Sequence, residues 1–169
     1  MSEQNSDFVI SRDFDVPRET LWACCTEPER MRQWWGPKGC KVVAANIDLR
    51  PGGSYHYGMQ MPDGATMWGK FLYREIVTPE RMVFVTFFSD EKGGVTRHPL
   101  VPTWPLEMLS TFTFDDLGDK SRFTVRWSPH KASEEEREVF NSDAMRASMT
   151  QGWNGTMDRL EVYLTPGSA

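Results

Sequence analysis

Few side chains in this sequence have catalytic or metal-binding chemistry, and their spacing predicts no catalytic site. The histidines, His56, His98 and His130, stand apart, and none has the His-x-x-x-His or Glu-x-x-His spacing of a metal site. The sequence contains no Gly-x-Ser-x-Gly turn of a serine hydrolase and no glycine-rich phosphate loop. We therefore predict no catalytic residue, no metal and no cofactor, and we keep an enzyme only as an alternative.

The cysteines predict packing rather than chemistry. Cys24 and Cys25 are adjacent and Cys40 is the only other one, which is not the pattern of a disulfide framework. We expect Cys24 and Cys25 to pack on a short helix, with a redox role as the less favoured interpretation. Reduced cysteines indicate the cytoplasm. The polar residues 1–7 are not typical of a signal or transit peptide.

Charge and hydropathy exclude two classes of partner. The sequence has 19 Lys and Arg against 24 Asp and Glu, a net charge of −5, and no basic stretch. Proteins that bind nucleic acids depend on such cations to neutralise phosphates, so we expect no nucleic acid partner. The mean hydropathy is −0.53, and no run of about 18 apolar residues occurs, so we expect no membrane insertion.

Large aromatic and sulphur-containing side chains are the unusual feature of the composition. The chain of 169 residues has seven Trp, ten Phe, four Tyr and ten Met. So much bulky and polarisable surface requires a large core or something to bind. A chain of this length buries roughly 70% of the surface that its unfolded form exposes. We expect one domain over 1–169, with an ordered core of about 8–164 and room for a cavity.

The elements that would position these side chains are mostly strands. Strand-type residues occupy 8–14, and two short helices are predicted at 19–25 and 26–35, the second with Thr26 as its N-cap. About six antiparallel strands separated by turns follow, at 42–49, 55–59, 66–76, 82–88, 108–114 and 122–127.

The last segment is predicted to be helical over 133–164. Ser133 and Glu136 have the spacing of a capping box, and a break is expected near Ser142. Apolar residues then recur every three or four positions from Met145 to Leu164, which indicates one buried helix face. This helix is the only element large enough to cover one face of the sheet, so the fold class is α+β.

Several short motifs occur in a characteristic order along residues 8–164. They are Arg12-x-Phe14-x-x-Pro17, Leu21-Trp22, Thr26-Glu27-Pro28-Glu29, Trp34-Trp35-Gly36-Pro37, Arg50-Pro51-Gly52-Gly53, Met61-Pro62-Asp63-Gly64, Pro79-Glu80-Arg81-Met82, and Gly152-Trp153 followed by Leu160 and Tyr163-Leu164. Together they resemble the domain family named after activators of the ninety-kilodalton heat-shock protein ATPase, a branch of the START-like (SRPBCC) superfamily. The resemblance implies a helix-grip fold, in which a curved antiparallel sheet of six to seven strands wraps around the long C-terminal helix and leaves a cavity.

With the helix-grip fold that the resemblance implies, strand and helix periodicity predicts most of the side chains that line the cavity, while Trp35 comes from the Trp34-Trp35 motif and Trp104 from the segment 89–105. The expected lining is Trp35, Tyr55, Tyr57, Met59, Phe84, Trp104, Ser110, Phe112, Phe123, Trp127, Met149, Trp153 and Met157. The hydroxyls of Tyr55, Tyr57 and Ser110 are the candidate polar anchors. Residues 82–88 are apolar on both faces, so either Phe84 or Val85 points inward. Of Trp34 and Trp35, we expect one to plug the end of the fold and the other to be partly exposed.

Two further features carry expectations. Residues 89–105 form the longest non-periodic stretch, with Gly93-Gly94 as a hinge and with Leu100, Val101 and Trp104 among Pro99, Pro102 and Pro105. This stretch is either a lid over the cavity or, through Trp104, a cap on the edge of the core. Gly152 and Gly155 lie inside the last helix, where each costs about 1 kcal/mol relative to alanine. We expect close approach of a neighbouring element to explain them.

The resemblance implies three functions. The first is binding of a hydrophobic small molecule, either a lipid or a flat polycyclic compound, in the cavity. An enzyme that uses the same cavity, cyclase-like or hydrolytic, is the alternative, since some members of the superfamily cyclise their ligands. A stress-related co-chaperone domain is the third. It is less favoured because the known co-chaperones carry a further N-terminal domain, whereas the first strand here begins within ten residues of Met1. A homodimer is left open.

Overall fold

The computed structural model of the protein describes residues 7–98 and 101–165, in which the chain forms eight strands and four helices. In chain order they are β1 (Phe8–Phe14), α1 (Arg18–Thr26), α2 (Pro28–Trp34), β2 (Lys41–Ile47), β3 (Ser54–Gln60), β4 (Thr66–Val77), β5 (Arg81–Ser89), β6 (Val95–Thr96), β7 (Glu107–Asp116), β8 (Ser121–His130), α3 (Glu134–Asn141) and α4 (Asp143–Leu164). Pro99 and Leu100, two residues of the predicted lid, lie outside the described residues.

All the strands belong to one antiparallel sheet with the order β1-β8-β7-β5-β4-β3-β2. The short strand β6 pairs with the end of β5, where Phe88 lies opposite Thr96 and Ser89 opposite Val95. Seven strands therefore agree with the predicted number. The eighth, β6, falls in a segment that we expected to be a loop, because two residues are too few to show strand periodicity.

The C-terminal helical segment has the predicted start and the predicted break. The Ser133 Oγ accepts a hydrogen bond from the Glu136 backbone N–H at 3.1 Å, and the Glu136 carboxylate accepts one from the Ser133 N–H at 3.0 Å. Ser142 interrupts the helix and caps α4, since its Oγ accepts a hydrogen bond from the Met145 N–H at 3.3 Å. Among the described residues, no helix combines the length and the apolar character needed to cross a membrane.

The predicted cap of α2 is wrong. Glu27 occupies the N-cap position, and its side chain makes no capping hydrogen bond. Thr26 instead ends α1, where its hydroxyl donates to the Trp22 carbonyl oxygen at 2.8 Å. A threonine at the end of a helix can donate its hydroxyl to the carbonyl oxygen four residues earlier, and Thr26 makes this bond rather than accepting one from the N–H groups of α2.

The buried face of α4 packs against the inner face of the sheet, which confirms the helix-grip arrangement. Trp153 is 5% exposed and Leu160 is fully buried. Arg12 of β1 links the sheet to the C-terminal half of α4, because its guanidinium donates to the Asp158 carboxylate at 2.8 Å. The sheet and α4 thus form two layers, and the space between them is available for a cavity.

Candidate functional site

A cavity of about 300 Å³ lies between α4 and the inner face of the sheet. Strands β3, β4, β5, β7 and β8 contribute side chains to its walls, as do α4 and the segment that follows α2. Its volume is at the lower end of the range of roughly 300–1,000 Å³ that is usual for small-molecule sites. The cavity is therefore large enough for a compact organic molecule.

Nine of the thirteen residues predicted from the sequence line this cavity. They are Trp35, Tyr57, Met59, Phe84, Trp104, Phe112, Trp127, Met149 and Trp153. The other four, Tyr55, Ser110, Phe123 and Met157, are fully buried in the core but do not line it. Tyr55 and Phe123 are covered by stacked neighbours, since Tyr55 lies 4.9 Å from the Tyr57 ring and Phe123 lies 5.2 Å from the Phe114 ring.

The orientation of β5, which the sequence left open, is settled by its ring contacts. Phe84 points inward and stacks on Phe71 with the ring centroids 4.0 Å apart. Val85 lies on the other face of the same strand and is still only 2% exposed. Both faces of this central strand are buried at this point, which explains why both are apolar.

Some lining residues were missed from the sequence. They include Phe71, Thr86, Phe88, His98, Leu106 and Met145. The register of β3 and β4 pairs Phe71 with Tyr55, and the same alternation that turns Tyr55 inward also turns Phe71 inward. That register is the signal that identifies Phe71, and it depends on a strand pairing that periodicity within one strand does not reveal.

The two adjacent tryptophans have different roles. Both are buried, so the prediction that one of them is partly exposed is wrong. Trp34 is fully buried, and its indole N–H donates to the Cys24 carbonyl oxygen at 2.9 Å. Trp35 is 7% exposed and lines the cavity. The Trp35 ring packs against five aromatic neighbours with centroid distances of 5.6–6.3 Å, namely Trp34, Tyr55, Tyr57, Phe71 and Trp153. Trp34 is thus a structural plug and Trp35 is a wall of the cavity.

Arg159 of α4 holds this wall in place. Its Nη1 lies 3.2, 3.1 and 3.0 Å from the carbonyl oxygens of Trp35, Gly36 and Pro37. A cation that donates to carbonyls just beyond a helix C-terminus also interacts favourably with the helix dipole. Gly36 has a φ of +98°, and a Cβ there would overlap the Met59 sulphur. The turn after α2 therefore needs glycine.

The cavity wall includes the polar groups of Trp35 and Tyr57 as well as Thr86, His98, Ser148 and Thr156. The Trp35 Nε1 is buried. Burial raises the pKa of Tyr57 to about 12, and a hydrogen bond with the Trp35 side chain opposes this effect. A Cβ at Gly69 would overlap the Tyr57 hydroxyl, so this hydroxyl lies directly on the backbone of β4. Of the three predicted anchors, only Tyr57 reaches the cavity, whereas Tyr55 and Ser110 do not.

The cavity wall is uncharged as far as the structure describes it. No Asp, Glu, Lys or Arg is among the described residues that line it. His98 is the only histidine among them, and burial lowers its pKa below the usual value near 6.5. The backbone N–H of Val101 donates to the His98 Nδ1 at 3.1 Å, which requires that nitrogen to be unprotonated. At neutral pH, His98 therefore adds no charge.

His98 should make the folded state sensitive to acid. Its lowered pKa means that the unfolded state binds more protons, so stability is retained above pH 6.5 and falls as the pH drops below it. In His98→Asn the side-chain oxygen can accept the Val101 N–H at any pH. We expect this variant to lose less unfolding free energy than the wild type between pH 7.5 and 5.5 in urea titrations. Equal losses would contradict this role of His98, whereas the contribution of His130, whose pKa burial also lowers, is common to both proteins.

Ser110 should be replaceable without loss of stability. Its hydroxyl is fully buried between strands and has no hydrogen-bond partner, which is a cost to folding. We expect Ser110→Ala to keep the unfolding free energy or raise it by up to about 1 kcal/mol. Ser121 is the matched control, because it is equally buried but donates to the Val16 carbonyl oxygen at 2.7 Å. Ser121→Ala should lose about 1 kcal/mol, and equal losses for both variants would show that Ser110 is bonded after all.

The segment after β5 begins with a turn and the short strand β6. Gly93 and Gly94 lie in a hydrogen-bonded turn between β5 and β6, in which the Asp90 N–H donates to the Gly94 carbonyl oxygen at 2.9 Å. Trp104 is 7% exposed, packs on Phe140 at 5.6 Å and lines the cavity. Trp104 therefore belongs to the edge of the core and to the cavity wall, whereas the glycine hinge and the lid stay predictions.

The two glycines of α4 differ in their surroundings. A Cβ at Gly155 would lie 3.6 Å from Lys38 Cγ, which is an ordinary contact. A Cβ at Gly152 would meet nothing within 4 Å, and Gly152 lines the cavity. The prediction that a neighbouring element approaches Gly152 closely is therefore wrong. The missing side chain at Gly152 instead leaves space in the cavity.

The cysteines behave as packing residues. Cys24, Cys25 and Cys40 are free and buried. Burial raises the pKa of Cys24 to about 11 and that of Cys25 well above its usual value. Thiols with raised pKa values stay protonated and unreactive at neutral pH.

Comparison with known proteins agrees with this fold. The family model of the activator of Hsp90 ATPase homolog 1-like protein matches residues 15–165. A crystal structure of a protein from Mycobacterium smegmatis is 21% identical with a TM-score of 0.78, over 99% of this chain and 96% of that one. A solution structure from Arthrobacter aurescens is 21% identical with a TM-score of 0.75, over 96% and 87% of the two chains. The AHSA1 protein of Silicibacter pomeroyi is 21% identical with a TM-score of 0.69, over 94% and 96%.

No curated protein matches the chain. At 21% identity the solved structures bear on the fold alone, whereas the family model spans most of the sequence. The chain belongs to the family of activator of Hsp90 ATPase homolog 1-like proteins.

Proposed function

We propose that this protein binds a hydrophobic small molecule in the cavity between the sheet and α4. The observation that carries the proposal is a cavity of about 300 Å³ walled by aromatic rings and methionines. Such walls gain free energy by removing apolar surface from water, and methionine adapts its shape to a ligand. A volume at the lower end of the usual range favours a flat molecule of two or three rings over a lipid with two acyl chains.

The expected affinity is moderate. A two-ring compound that buries about 300 Å² of apolar surface gains roughly 7 kcal/mol at 25 cal/mol per Å². Part of this gain is lost because binding restricts the motion of the ligand. We therefore expect dissociation constants no tighter than about 1–10 μM for simple aromatic probes.

N-phenyl-1-naphthylamine, an uncharged probe that fluoresces in apolar surroundings, tests the proposal. We expect a saturable rise in fluorescence with one site per chain. The same titration in denaturing guanidinium chloride should give no rise and serves as the control. Absence of saturable binding to the folded protein would contradict the proposal. Native mass spectrometry of freshly purified protein would then identify a ligand that co-purifies.

The other interpretations rank below this one. Family membership keeps a chaperone partner in view, and the superfamily includes enzymes that use the same cavity. For neither the chaperone-binding function nor the enzyme do the described residues show a feature as specific as the cavity. The buried free cysteines suit a reducing compartment, and we propose the cytoplasm as the location.

A further inference from the structure

Two of the described residues that line the cavity are exposed to solvent. Pro37 follows α2, and Ser148 lies in the first half of α4. The other described lining residues are buried or half-buried. A residue that faces both a cavity and water lies where the wall is thin or open. The wall is therefore thinnest at Pro37 and at Ser148.

One edge of α4 runs from Ser148 along this part of the wall. Gly152, Gly155 and Arg159 follow Ser148 at spacings of four, three and four residues, which places all four on one side of the helix. Of these four residues, Ser148 and Gly152 line the cavity, whereas Gly155 and Arg159 do not. The edge therefore borders the cavity in its N-terminal half.

The C-terminal half of this edge is covered by residues 35–39, which we call the strap. A Cβ at Gly155 would lie 3.6 Å from Lys38 Cγ, and Arg159 donates to the carbonyl oxygens of the first three strap residues. The Lys38 ammonium also lies 3.0 Å from the Asp158 carboxylate, although an exposed ion pair adds little stability. The strap is therefore held against α4 mainly by the hydrogen bonds of Arg159.

The N-terminal half of the same edge is uncovered. A Cβ at Gly152 would meet nothing within 4 Å, and the Ser148 side chain is exposed. From Ser148 to Gly155, where the strap makes contact, a rise of 1.5 Å per residue gives about 10 Å of helix. An opening of this length beside an aromatic cavity is a route by which a flat molecule can enter.

From this arrangement we infer that the ligand enters and leaves the cavity through a mouth beside Gly152, with Ser148 on its α4 rim and Pro37 on its strap rim. The inference rests on the proposed function and adds to it the route of ligand exchange. Arg159 holds the strap rim, so this rim stays in place while the ligand passes. A group that blocks the mouth without entering the cavity raises the barriers to entry and exit equally, and it leaves the affinity unchanged.

A removable group at position 148 tests this route. In Ser148→Cys, benzyl methanethiosulfonate converts the exposed thiol into a benzyl disulfide, and dithiothreitol removes the group again. The three native cysteines are buried, and burial raises their pKa values, so the wild type should take up no benzyl group.

Stopped-flow mixing with N-phenyl-1-naphthylamine at several concentrations gives the rate constants of association and dissociation. In the labelled Ser148→Cys protein, we expect both rate constants to fall about tenfold or more and the dissociation constant to stay within about threefold of the wild type. Dithiothreitol should restore both rates. Ser148→Trp, which needs no labelling, should slow both rate constants in the same way.

Ala147 offers the matched control. It precedes Ser148 on α4 and is also exposed, but it does not line the cavity. The labelled Ala147→Cys protein should therefore bind and release the probe at the rates of the wild type. Equal slowing by a group at position 147 would overturn the inference, because the effect would not be specific to the mouth.

The remaining outcomes separate the inference from the proposed function. If the folded wild type shows no saturable probe binding, the proposed function fails and the inference fails with it. If the probe binds, but both blocked Ser148 variants exchange it at the rates of the wild type, the ligand enters elsewhere and only the inference is overturned. Faster dissociation with a weaker affinity would also overturn it, because the added group would then lie inside the binding site rather than at its mouth.

Discussion

Replacing Trp35 with alanine should lower the unfolding free energy by about 3–5 kcal/mol, as expected for a large buried aromatic side chain. The residue is 7% exposed and its ring contacts five other aromatic rings, so the variant would lose both buried area and ring contacts. For a chain of this length the loss corresponds to a fall of roughly 6–20 °C in the melting temperature. Binding of N-phenyl-1-naphthylamine should fall together with stability, because one wall of the cavity is gone.

Trp68 is the control for this prediction. It lies on the outer face of the sheet, where its ring stacks on His56 at 5.2 Å and covers Gly58. Trp68→Ala should cost less than half as much stability and should leave probe binding intact. Chemical denaturation of both variants decides the matter, and similar losses would show that Trp35 is not the central packing residue described above.

Filling the space beside Gly152 should move stability and binding in opposite directions. A methyl group at this position meets nothing within 4 Å, and alanine is about 1 kcal/mol more favourable than glycine inside a helix. Gly152→Ala should therefore raise the unfolding free energy by up to about 1 kcal/mol and weaken probe binding. Gly152→Leu places a larger side chain in the same cavity and should weaken binding by more than about tenfold.

Gly155→Ala separates the effect of helix propensity from that of cavity volume. Position 155 is three residues away on the same helix, and its Cβ would touch only Lys38 at 3.6 Å or more. We expect a similar gain in stability with unchanged probe binding. If the Gly152 variants bind the probe as tightly as the wild type, the ligand does not occupy the space next to α4.

Local patterns predicted the elements well because their causes are local. The capping box of Ser133 and the break at Ser142 depend on residues within one helical turn, and both are found. The alternation of β3 correctly turned Tyr57 and Met59 inward and placed His56 on the outer face beside Trp68. Most of the nine correctly predicted lining residues followed from such periodicity.

The parts that escaped sequence analysis depend on contacts between distant residues. Arg159 bonds to carbonyls more than 120 positions earlier, so the role of Trp35 as a wall is not visible in the motif around it. Ser110 shares an inward face with Phe112, yet neighbouring side chains cover its hydroxyl and it does not reach the cavity. Periodicity gives the face of a strand to which a side chain belongs, but not the depth at which the packed core ends and the cavity begins.

The most direct test of ligand binding in this cavity is the ¹H–¹⁵N NMR spectrum of the seven tryptophan indole groups, recorded with and without 2-acetylnaphthalene. Four tryptophans line the cavity, Trp35, Trp104, Trp127 and Trp153, and three do not, Trp22, Trp34 and Trp68. We expect the first four signals to shift and the other three to shift far less. Shifts that are confined to Trp22, Trp34 and Trp68, or the absence of any shift at saturating ligand, would contradict the account.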